Sequence, residues 1–130
     1  MRAHFEFDAT HRVLLLRAEG QFTEELVRSN QASVRRYSTA TGARAAIFDL
    51  SGVTEFVLSK KFIQSLAREA PSMSASHPLI IVVPSTHGFG LSRMFQSLGD
   101  QTRPLLQVVR NMDEALSMLK IPSPQFEPLA

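Results

Sequence analysis

The chain predicts an α/β fold built on a mainly parallel sheet, with elements in the order β-β-α-β-α-β-α-β-α. Three observations carry that prediction. Strand-length apolar runs alternate with helical stripes from residue 13 onward. One run, Leu79-Ile80-Ile81-Val82-Val83, is apolar at every position, as a strand buried on both faces requires. The one short strand-to-strand connection lies at the start of the chain, so a single antiparallel hairpin precedes a series of right-handed crossovers.

Taken in order, Phe5 and Phe7 alternate with His4, Glu6 and Asp8, the period of a half-exposed strand. Ala9-Thr10-His11 turns the chain into a second strand, Arg12 to Ala18, antiparallel to the first. A helix from about Thr23 to Thr41 follows. Thr23 suits its N-cap, Glu24 and Glu25 favour the positive end of the macrodipole, and Phe22, Leu26, Val34 and Tyr37 form its apolar stripe. Gly42 suits a left-handed residue just past its end.

Ala45 to Leu50 is the third strand, and Ser51-Gly52-Val53-Thr54 leads out of it. Leu58, Phe62 and Leu66 mark a second helix that Pro71 ends. Residues 72–77 are a connection of small residues before the Leu79–Val83 strand. Pro84 to Gly90 reads as a loop feeding a third helix, with Leu91, Met94, Phe95 and Leu98 on one face. Leu105 to Val109 is the fifth strand. Asn111 caps a fourth helix with Glu114 as its capping-box partner, and Met112, Ala115, Leu116 and Leu119 are its buried stripe. Residues 1–120 make one domain. Residues 121–130, with Pro122, Pro124 and Pro128 and no periodicity, read as a flexible proline-rich tail.

Composition narrows the function classes. The 130 residues suit one domain, and a net charge of +2 with both signs interleaved offers no basic patch for nucleic acid. With no cysteine, thiol catalysis, disulfides and thiolate metal sites are excluded, and a cytoplasmic location is expected. The first residues lack the apolar core of a signal peptide, and no run is long enough for a transmembrane segment. His4, His11, His77 and His87 show no metal-ligand spacing. Ser85, His87 and Asp49 could be nominated as a triad, but Ser85 and His87 are neighbours on one loop without a Gly-x-Ser-x-Gly elbow. Paired carboxylates fall in first helical turns, where helix starts explain them. The expectation is a protein that is not an enzyme and needs no cofactor.

The segment Ile47-Phe48-Asp49-Leu50-Ser51-Gly52-Val53-Thr54 resembles the strand-and-turn signature of STAS domains, the bacterial anti-sigma-factor antagonist family. Val83-Pro84-Ser85, Gly88 to Phe95, and Asn111 to Leu116 are similar to its SpoIIAA-like, SEC14-related branch. The resemblance implies a right-handed βα superhelix with about four helices. It also implies a five-stranded sheet in the order 1-2-3-4-5, with strand 1 antiparallel at one edge. Phosphorylatable members carry an aspartate and then a phosphoacceptor serine in the turn after this strand. Those two positions fall on Val57 and Leu58, and Ser59 is one residue late.

The resulting expectation is a non-catalytic regulatory module that acts by protein–protein interaction, with a regulatory partner or a second copy. The alternative is a SEC14-like carrier or sensor of a small apolar or anionic ligand at the C-terminal ends of the strands. Its contacts would be Ser85, His87, Gly88, Phe89, Gly90 and Arg93, with charge from Lys60 or Arg110, because parallel strands three to five end on that edge. The stripes holding Phe62, Met94, Phe95 and Met112 read as plain core, although a SEC14-like relative would line a cavity with them.

Overall fold

A tight hairpin begins the sheet in the computed structural model, which describes residues 2–129. β1 (Arg2–Asp8) pairs antiparallel with β2 (Val13–Thr23), from Arg2 opposite Glu19 to Asp8 opposite Val13. His4 therefore faces Arg17 across the hairpin. The remaining elements are α1 (Glu24–Thr41), β3 (Ala45–Val57), α2 (Lys60–Arg68), β4 (Leu79–Val82), α3 (Thr86–Leu98), β5 (Leu106–Val109), α4 (Met112–Leu119) and β6 (Glu127–Pro128). The sheet runs β5-β4-β3-β2-β1-β6, and β2 to β5 are parallel neighbours.

The helix ends follow the expected capping chemistry. Thr23 accepts from the Leu26 N–H, and Gly42 takes the left-handed conformation at φ 69°. Asn111 accepts from the Glu114 N–H at 2.9 Å and donates to its carboxylate at 3.0 Å.

Burial divides cleanly between the two faces of the sheet. Val13, Leu15, Ala45, Ile47, Ile80, Val82 and Val109 meet α4 through Ala115, Met112, Leu116 and Leu119. On the opposite face, Leu14, Ala18, Ala46, Leu50, Ile81 and Val83 lie under α1, α2 and α3. β4 lies between β3 and β5 and is covered on both faces, which is why its residues are apolar throughout.

Three expectations need correction. The sheet has six strands, not five, and part of the segment read as a loose tail is the sixth. β1 exposes backbone groups along its outer edge, and β6 takes them up, with the Leu129 N–H donating to the Phe5 carbonyl at 2.8 Å. Pro128 fits there because the outermost strand needs no ladder donor from it. Ile121 and Phe126 pack into the core beneath.

β3 does not end at Leu50. It pairs with β4 only from Ala46 to Asp49, but continues beside β2 as a two-stranded ribbon as far as Val57. Register shifts at Arg17/Glu19 and Gly20/Gln21 add the twist that curls such a ribbon. A Gln21–Glu55 side-chain bond of 2.9 Å holds its edge. Phe22 therefore belongs to β2 rather than to the stripe of α1, and Leu58 precedes α2 rather than lying within it. Finally, residues 86–90 are the first turns of α3, not a loop.

Candidate functional site

The ribbon delivers the turn Val57-Leu58-Ser59 beside the starts of α1 and α2. Thr23 and Val57 are the last paired residues of β2 and β3, so α1 departs where the turn begins. Val57 is 46% exposed. Leu58 is half-buried and lines a cavity beneath the turn. Ser59 is the N-cap of α2: its Oγ accepts from the Phe62 N–H at 3.0 Å, and its own N–H donates to Glu24 Oε2 at 3.2 Å. Its hydroxyl oxygen is committed to the helix.

The start of α3 forms a second cluster. Ser85 Oγ accepts from the Gly88 N–H at 3.1 Å. The Phe56 ring, carried by the ribbon, lies directly against Gly88, so a Cβ there would also stand 2.6 Å from Val83 Cγ2. Phe56 meets the His87 ring edge-on at 6.3 Å and Phe22 at 5.8 Å. Arg110 donates to the Pro84 carbonyl at 3.3 Å and stacks its guanidinium 4.1 Å over Phe89. Ser85, His87, Gly88, Phe89 and Arg110 thus come together, with Phe56 as the residue that joins them. Lys60, Gly90 and Arg93 are exposed, and neither Lys60 nor Arg93 forms a hydrogen bond or ion pair with any described residue.

The cavity, of about 140 Å³, lies between the sheet and its three-helix cover. Phe48 and Leu50 form its floor, Val27 and Asn30 of α1 one wall, Ile63 and Leu66 of α2 and Leu91 and Phe95 of α3 the others. Of the four stripe residues named above, only Phe95 lines it. Met112 packs on the opposite face of the sheet, and Phe62 lies under the Arg28 guanidinium.

Among the described residues, three buried polar side chains lie in the cavity wall: Arg103, Asn30 and Ser92 of α3. Arg103, 8% exposed, donates from Nη1 to the Leu66 and Glu69 carbonyls at 3.3 and 3.0 Å, and stacks 4.9 Å over Phe95. It ties down the C-terminal end of α2, where a cation suits the helix dipole. Burial pushes its guanidinium below the ordinary value, and the nearby Glu69 charge opposes that shift. Glu69 is itself held low by its hydrogen bond to Arg28. Asn30, 7% exposed, has an amide nitrogen that is buried without a hydrogen-bond partner among the described residues. Its position in the sequence carries a signal: it stands four residues after Leu26 and four before Val34, a polar residue inside an apolar stripe. Arg103 carries no comparable local mark.

The nominated triad is not assembled. Asp49 sits on the α4 side of the sheet, accepting from Ser51 Oγ at 2.6 Å and from Arg17 Nη1 at 3.4 Å. Among the described residues, no three His, Asp or Glu side chains converge on one point as metal ligands would, and no helix is long and apolar enough to cross a membrane.

No family model and no curated protein matches the chain. Among solved structures it is similar to the anti-sigma factor antagonist SpoIIAA in its unphosphorylated form. The TM-score is 0.63 at 16% identity, over 92% of this chain and 96% of that one. It is also similar to the Bacillus cell fate determinant SpoIIAA in the phosphorylated form, with a TM-score of 0.58 at 16% identity, over 91% and 99% of the two chains. At that identity the likeness is one of fold, and the expected SpoIIAA-like α/β architecture is the one the chain adopts.

Proposed function

With the SpoIIAA-like fold as premise, we propose that this chain is a non-catalytic regulatory module that acts by protein–protein contact and is not switched by phosphate at the turn after β3. The observation that carries the reading is the occupancy of that turn. Leu58 stands at the acceptor position and points its apolar side chain toward the core side, while the Ser59 hydroxyl caps α2. The similar structures are of an anti-sigma factor antagonist, in phosphorylated and unphosphorylated forms. A module of the same fold without the acceptor would bind its partner constitutively. The contact surface is the exposed Val57 with Lys60 and Lys61 beside it, an apolar anchor with a basic rim. The setting is the bacterial cytoplasm, and the partner is a regulatory protein of the anti-sigma type.

Titration calorimetry against the anti-sigma factors of the same genome tests this. Val57→Glu is expected to weaken the productive complex by about tenfold or more, as loss of a central apolar anchor does. Its melting temperature should be nearly unchanged, because Val57 lies at the surface. Loss of no affinity in Val57→Glu would place the contact elsewhere. A complex formed only between copies of this chain would assign self-association instead.

The alternative, a ligand at the strand ends, has less support from the α3 cluster. Ser85 already satisfies the Gly88 N–H, and Arg110 is engaged with Pro84 and Phe89. The observation that favours a ligand is the cavity.

A further inference from the structure

We infer that the cavity between the sheet and α1, α2 and α3 is a binding site for one small, neutral, largely apolar molecule that carries a hydrogen-bond acceptor, with the Asn30 amide as the donor. The inference is independent of the partner-binding reading above.

Three observations support it. The first is size and lining: about 140 Å³ walled by Phe48, Leu50, Ile63 and Leu91. Apolar cavities of roughly 150 Å³ accept molecules of benzene size. Ser74, Ala75 and Leu105 are exposed members of the same lining, so the cavity meets solvent on their side and has an entry.

The second is the state of the polar groups. Among the described residues, Asn30 Nδ2 is the one buried side-chain nitrogen or oxygen without a hydrogen-bond partner. Among the described residues, the deeply buried ionisable groups are all engaged: Asp8 by Thr10 and His11, Asp49 by Ser51 and Arg17, Arg103 by Leu66 and Glu69. A protein that satisfies its buried charges leaves this neutral amide for something else. For packing alone, a leucine of similar size would serve better, because it would remove an unmet donor from an apolar wall.

The third is charge. Among the described residues, Arg103 is the one Lys or Arg in the wall, and it is bonded to carbonyl oxygens, stacked on Phe95 and countered by Glu69. An anion would enter an apolar cavity with no free positive group to receive it, which is costly. A neutral carbonyl, ether or phenol oxygen fits the unmet Asn30 donor.

Acetophenone and its isostere α-methylstyrene, in which a methylene replaces the carbonyl oxygen, test the site by methyl-group NMR titration. Acetophenone is expected to shift the methyl signals of Leu50, Ile63, Ile81 and Leu91, and to bind roughly two- to tenfold more tightly than α-methylstyrene, the worth of one net hydrogen bond. In Asn30→Leu that preference should disappear, while the ligand-free variant melts at or above the wild-type temperature. The carbonyl carbon of labelled acetophenone bound to the wild-type protein should resonate downfield of its position in cyclohexane, where it has no donor, a readout that needs no variant. Failure of both probes to bind, or equal affinity for the two in the wild-type protein, would overturn the inference. So would a lower melting temperature in Asn30→Leu with the probe preference intact, since the amide would then be structural.

Discussion

Replacing Asp8 by alanine is expected to cost on the order of 3 kcal/mol and to lower the melting midpoint by about 10 °C. The carboxylate is 1% exposed. Its Oδ1 accepts from the N–H groups of Thr10 and His11 at 2.9 and 3.1 Å. Its Oδ2 takes the His11 Nδ1 at 3.0 Å and the Gln125 N–H at 3.3 Å. One side chain therefore closes the β1–β2 turn, where Arg12 is held left-handed at φ 56°, and ties that turn to the segment leading into β6. Alanine would leave several of these donors unmet.

The same residue gives the effect a pH signature. Burial alone would raise the Asp8 carboxyl, but the hydrogen bonds from His11 and Gln125 outweigh it and hold the group below its ordinary value of 3.8. A carboxyl lowered in the folded state contributes stability that is fully present above the unfolded value and is lost as pH falls through the folded one. The gap between wild type and Asp8→Ala in urea melts should therefore be widest near about pH 7 and shrink below about pH 4. A gap that stays constant into strong acid would show that the charge is not what the turn depends on.

The second large effect lies at the start of α3, where two glycines of one helix should respond in opposite directions. A Cβ at Gly88 would fall within 3.0 Å of the Phe56 ring and 2.6 Å from Val83 Cγ2, atoms held by a packed ribbon and a buried strand. Overpacking of that kind costs about 1–3 kcal/mol, more than the roughly 1 kcal/mol that alanine gains over glycine in a helix. Gly90 has nothing within 4 Å of its Cβ position, so there the helix gain stands alone. Gly88→Ala should lower the melting temperature, and Gly90→Ala should raise it. Adding Phe56→Ala to Gly88→Ala should recover part of the loss, a coupling that distant sites do not show. If Gly88→Ala proves as mild as Gly90→Ala, the ribbon does not dock on α3.

These two sites also mark where the sequence was readable and where it was not. Local chemistry was legible: Thr23, Gly42 and Asn111 end helices as their side chains and backbone freedom require. The apolar run of β4 declared its double burial. The extension of β3 was hidden because Ser51, Gly52, Thr54 and Glu55 face solvent on a ribbon that has left the main sheet, and polar residues with a glycine look like a turn. β6 was hidden because two residues, one of them proline, carry no period, and its pairing depends on an edge far away in the chain. The same applies to the site. Ser85, His87, Gly88, Phe89 and Arg110 gather as the strand ends suggested, but Phe56 reaches them only through the ribbon. The cavity is assembled from α1, α2, α3 and the connection before β4, so no single stretch announces it.

The central claim, a SpoIIAA-like module that works without a phosphate switch, is tested most directly by intact-mass measurement after incubation with ATP and the kinase that phosphorylates SpoIIAA, with SpoIIAA in the same tube. Leu58 has no hydroxyl, and Ser59 Oγ is bonded to the Phe62 N–H at 3.0 Å. The account predicts that SpoIIAA gains phosphate and this chain keeps its mass. Phosphate mapped to Ser59 would contradict it.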